Sequence, residues 1–111
     1  MTPEEKEQII NTFKEARNFI SDPERWTKGT SARDCYGFPI HPLNHNATCW
    51  CSFGAIERVV SYSNRRLVHD TCWLTKYTGI SYIKYNDLPE TTHEDIMKMF
   101  DGAIALVEKE P

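Results

Sequence analysis

This sequence has no apolar run long enough to span a bilayer. The acidic, polar opening Thr2-Pro3-Glu4-Glu5 does not read as a secretory signal, so none is expected. The expectation is a cytoplasmic protein with no membrane contact. Basic charge is scarce as well. The formal net charge is -3, and Arg65-Arg66 is the only tight basic pair, so nothing predicts nucleic-acid binding. Cysteine is limited to four residues, which a reducing compartment keeps as thiols. No repeat, low-complexity tract or linker divides the 111 residues, and that length suits one domain, 1–111, with one core.

What is present is mostly helical patterning. Thr2 can cap, Pro3 suits the first helical position, and Glu5 completes a capping box. The stripe Ile9, Phe13, Ala16, Ile20 then predicts a first helix over 3–20, stopped at Ser21-Asp22-Pro23. In the next stretch, Ser31–Arg33 and Phe38–Ile40 read as a small hairpin with Gly37 in the turn, irregular because of Pro39 and Pro42. A second helix is expected over 47–61, capped by Asn46 or Thr48. Its wide apolar arc through Trp50, Phe53, Ile56 and Val60 suggests a central, surrounded element. A third helix is expected over 65–78, ended by Gly79, and 80–85 alternates as an extended segment. Thr91 or Thr92 then caps a fourth helix over 93–108, striped by Ile96, Phe100, Ala103 and Val107. The expected fold class is α+β and mostly helical. Four helices gather around a central helix 2, with a short β-hairpin or extended pair, and helices 1 and 4 pack against helix 2.

Five short signatures occur in order: Trp26-Thr27-Lys28-Gly29, Ala32-Arg33-Asp34 with Gly37, Trp50-Cys51 with Gly54-Ala55-Ile56, Tyr85-Asn86-Asp87, and Thr92-His93 with Ile96. Together they resemble a small uncharacterised family, a domain of unknown function found in bacteria and phages. Its pattern reads W-x-[QK]-G, A-R-D-x-x-G, W-C-x-x-G-A-[IL], aromatic-N-D, then T-H-x-x-[VI]. The resemblance implies a bacterial or phage cytoplasmic origin (host cytoplasm, if phage-encoded) and no particular activity. Cys51 matches a motif position, whereas Cys35, Cys49, Cys72, His41, His45 and His69 match none.

Three chemistries compete for these residues. Cys35, His41, His45 and Cys49 are zinc-ligand types gathered in one stretch, but their spacings are irregular where zinc sites favour two tight pairs. Cys51 near a helix start, with His69 and Asp87 later, follows the order of a cysteine hydrolase. Cysteine is nonetheless most often a core residue. The polar turns Arg33-Asp34 and Asn86-Asp87 either bind their own backbone or, with Trp26, Tyr36 and Tyr85, form a ligand or partner site. The expectation is a non-enzymatic binding protein without a cofactor. It would capture a small ligand or a partner protein, with a homo-oligomer open to it, and a phage origin would suggest interference with a host process. A small cysteine- or zinc-dependent enzyme and a structural accessory subunit are the alternatives.

Overall fold

The computed structural model describes residues 1–62 and 71–111. Its elements are α1 (Pro3–Phe19), a 3-10 turn (Pro23–Arg25), β1 (Ala32–Arg33), β2 (Cys49–Trp50), α2 (Ser52–Tyr62), α3 (Cys72–Thr78), α4 (Tyr82–Asp87) and α5 (His93–Glu108). The fold is α+β and mostly helical, as expected, with five helices among the described residues rather than four.

Caps set the ends of the two long helices. The Thr2 hydroxyl accepts the Glu5 N–H at 3.1 Å, and α1 stops just short of the Asp22-Pro23 break. Of the two candidate caps for α5, Thr92 is the one used. Its hydroxyl accepts the Asp95 N–H, and the Asp95 carboxylate accepts the Thr92 N–H in return, a complete capping box. These reciprocal bonds hold the Asp95 carboxyl below its ordinary value, the Thr92 backbone N–H contributing most.

The buried stripes of α1 and α5 face one another, with the Phe13 and Phe100 rings edge to face at 6.3 Å. Arg17 closes on Asp101 from outside, with Nε 2.7 Å from Oδ1. On its other side α1 packs against α2, and α3 packs against α5. The most extensive packing is therefore shared by α1 and α5, and helix 4 (α5) lays its stripe on helix 1 rather than on helix 2 as expected. One buried cluster draws on all five helices, from Ile9 and Phe13 through Ile56, Leu74 and Tyr82 to Val107.

Three local expectations need correction. Helix 2 starts at Ser52, not near Ala47, because Cys49–Trp50 is taken up as strand β2. Ala32 pairs with Trp50 and Arg33 with Cys49, antiparallel, while Thr27 N–H donates to Trp50 O on the far side. Secondly, the expected hairpin exists only as a bridge between Arg33 and Pro39, with Gly37 at φ 85° in its turn. The strand partner of β1 is β2, which lies 16 residues further on and was assigned to helix. Thirdly, residues 82–85 of the expected extended segment belong to helix α4. Tyr82 and Asn86, four residues apart, are the two it buries, and the helical spacing of that pair outweighs the alternation. Helix 3 is seen from Cys72 to Thr78 with Gly79 in the left-handed cap; the part expected over 65–70 lies outside the described residues.

Candidate functional site

The motif residues converge on a knot of hydrogen bonds where α2 begins and α4 ends. Asn86 is its hub and is 1% exposed. Its Oδ1 accepts the Trp26 indole N–H at 2.8 Å, the Ser52 hydroxyl at 2.8 Å and the Ser52 backbone N–H at 3.1 Å. Its Nδ2 donates to Thr27 O at 3.1 Å and to Asp87 Oδ1 at 2.9 Å. Both amide donors and the carbonyl oxygen are thus committed. Because Ser52 is the first residue of α2, Asn86 supplies from α4 the acceptor that a helix start otherwise lacks. Asp87 Oδ1 also accepts the Gly29 N–H at 2.9 Å, and Lys28 Nζ donates to Leu88 O at 2.6 Å. The 27–29 turn is therefore sewn to the end of α4.

Arg33 joins this knot to the next loop. Its Nε donates to Thr27 Oγ1 at 2.9 Å, Nη2 to Lys28 O at 2.9 Å, and Nη1 to Gly37 O at 3.0 Å. Asp34 fixes the loop from inside, its Oδ1 accepting the N–H groups of Tyr36 at 2.9 Å and Phe38 at 3.0 Å. Further along, Pro42 O accepts the Trp50 indole N–H at 3.0 Å and Arg58 Nη1 at 3.1 Å. The loop is pinned at both ends and displays its aromatic side chains outward: Tyr36 is 82% exposed and Phe38 66%. Against it lies a cleft of about 480 Å³ lined by Asp34, Cys35, Tyr36, Ile40, His45, Asn46 and Thr48.

Residues 4–106 match a family of unknown function, DUF6197. The chain belongs to that family. No curated protein and no solved structure matches it.

The sequence candidates of this DUF6197 chain separate into groups. Trp26, Arg33, Asn86 and Asp87 meet in the knot, with their polar atoms turned to internal partners. The Trp26 ring also packs edge to face on His93 at 6.0 Å. Asp34 and Tyr36 belong to the exposed loop, to which Arg33 is the link. Tyr85 is half-buried beside neither group's hydrogen bonds, and its hydroxyl is pushed up first by burial, then by Asp95 and Tyr77.

Cys51 is buried, and its Sγ accepts the Gly54 N–H at 3.4 Å. Burial pushes its thiol above the ordinary value of 9.0, with the Asp87 charge acting in the same direction. The thiolate that a nucleophile requires is thereby disfavoured. His69 lies outside the described residues. Among the metal candidates, Cys35, His41 and His45 are exposed and Cys49 is half-buried in β2. His41 Nδ1 accepts the Leu43 N–H at 3.1 Å. Among the described residues no three His, Cys, Asp or Glu side chains gather closely enough to share an ion.

Sequence reasoning passes over Ser52, and it takes Phe38 as a hairpin residue that ties the loop down, whereas the ring is exposed. Ser52 carries no local mark, since its partner is 34 residues away. Phe38 did have a signal: it stands before Pro39 in a turn, where no helical or alternating stripe places it in the core.

Proposed function

We propose that this protein is a non-enzymatic binding module that captures a partner protein through the loop 34–48. The observation that carries the reading is the pairing of exposed aromatics with a fixed backbone. Tyr36 and Phe38 stand in solvent on a loop held by the Asp34 carboxylate and Arg33. Aromatic anchors are the side chains on which binding energy concentrates, and a loop ordered beforehand loses little entropy on association. The adjoining cleft would receive a partner side chain, with His45, Asn46 and Thr48 as polar contacts. If the origin is phage, the partner is a host protein and the role is interference. A cytoplasmic location belongs to the same proposal; among the described residues no helix is long and apolar enough to cross a membrane.

The test is affinity capture with the full chain from extracts of the cells that encode it, beside the double variant Tyr36→Ala/Phe38→Ala. Both side chains are exposed, so the variant should keep its stability to within about 0.5 kcal/mol. The expected result is a stoichiometric partner retained by the native chain and lost by the variant. Identical retention by both sinks the reading. Small-ligand capture in the cleft is the second reading, favoured by its volume, which falls in the range of small-molecule sites. Native mass spectrometry of the captured protein distinguishes the two by the mass of what is bound.

A further inference from the structure

A different feature adjoins Pro42, whose carbonyl accepts from Trp50 and Arg58. Phe19 and Trp50 pack with ring centroids 4.4 Å apart, and two guanidiniums stack on this pair. Arg25 Cζ is 4.4 Å from the Phe19 centroid and 5.3 Å from that of Trp50. Arg58 Cζ is 5.3 Å from Trp50 and 4.6 Å from Tyr62. Stacking occupies the faces of a guanidinium and leaves its in-plane N–H donors for other partners. Arg58 gives one of them to Pro42 O. Among the described residues no carboxylate pairs with Arg58. Beside it opens a pocket of about 410 Å³ lined by Glu15, Phe19, Arg58, Val59 and Tyr62. Among the described residues the lining is largely apolar, with one cation, Arg58, whose one hydrogen bond goes to Pro42 O.

We propose that this pocket binds a small carboxylate with an apolar body. The body lies against Phe19, Val59 and Tyr62, and the carboxylate meets the N–H edge of Arg58. A carboxylate matches the fork of a guanidinium, and a charge-assisted pair of this kind is stronger in an apolar surround than in water. Glu15 lies in the same lining and makes an interaction of its own. The site is distinct from the loop at Tyr36 and requires no partner protein, so either proposal can fail without the other.

The experiment is calorimetric titration of the full chain with naphthoate and with the neutral naphthamide. Naphthoate is expected to bind at least about tenfold more tightly, the equivalent of one retained charge-assisted contact. Arg58→Gln, checked for an unchanged melting temperature, should bring naphthoate down to the level of the amide. Arg25→Gln removes a guanidinium from the same rings but not from the pocket lining, and should change affinity by less than about threefold, as expected of a screened charge. Equal affinity for acid and amide overturns the proposal, as does no measurable binding of naphthoate. An equal loss with Arg25→Gln does so too, because it reports diffuse charge rather than a site. The acid–amide comparison needs no variant, so it decides the matter even if Arg58→Gln does not fold.

Discussion

The candidate residues of this chain divide by what their side chains meet. Asn86 faces inward, and no other side chain reproduces it. Alanine removes an acceptor shared by Trp26 and Ser52 and a donor to Thr27 O and Asp87. Each buried group left without a partner costs about 1–3 kcal/mol, so Asn86→Ala should lose at least about 3 kcal/mol. Asn86→Asp keeps the acceptor but turns a carboxylate oxygen toward Thr27 O and the Asp87 carboxylate, so it should be no better at neutral pH. Urea unfolding measures both. An Asn86→Ala midpoint corresponding to less than about 1 kcal/mol of loss would mean that the knot is incidental to stability. Tyr36 is the opposite case, since nothing in the fold uses its ring. A motif position that holds the chain together and a candidate outside the motifs that faces solvent look alike in sequence, because both are polar or aromatic residues in turns. Only their partners, 34 to 60 residues away, tell them apart.

At the scale of elements, the start of α2 is where β2, α4 and the Ser31 backbone crowd together. A Cβ added at Gly54 would lie 2.0 Å from Ser31 O, a backbone atom held in place by the Cys51 N–H at 3.1 Å. Alanine raises helix propensity by about 1 kcal/mol over glycine, yet the clash forces helix and strand apart, with overpacking costs of about 1–3 kcal/mol or more. Gly54→Ala is expected to be net destabilising in thermal melts, by several degrees. A variant as stable as the native chain would mean that the close approach is dispensable.

The same region marks where the sequence was legible and where it was not. Residues 1–20 and 91–108 could be read because their caps and stripes are local: Thr2 with Glu5, Thr92 with Asp95, apolar residues three and four apart. Cys49–Trp50 could not, because its conformation is set by pairing with Ala32–Arg33. Segment 80–85 misled because β-branched and aromatic alternation in a short span also fits a one-and-a-half-turn helix with two buried residues.

For the molecule as a whole, these buried groups set the pH range of stability. Burial raises the Cys51 thiol above 9.0 and the Tyr82 hydroxyl above 10.0, with Cys51 and Glu57 adding to the shift on Tyr82. Both groups are neutral when protonated, so above those ordinary values the unfolded chain releases protons that the folded chain keeps. Stability from these two groups is therefore complete below about pH 9 and is lost progressively as pH rises through their folded values. Asp95 acts at the other end. Its lowered value means that its contribution is present above 3.8 and is lost as pH falls through the folded value. Unfolding midpoints at pH 7, 9 and 10.5 (an illustrative ~series spanning these values) should fall on the alkaline side. Tyr82→Phe should flatten the fall, because it keeps the buried ring and removes only the ionisable oxygen. Every other group is common to the native chain and the variant, so the difference between their slopes reports Tyr82. Parallel slopes would place the phenol in contact with water in the folded state, contrary to its burial among α2, α4 and the core.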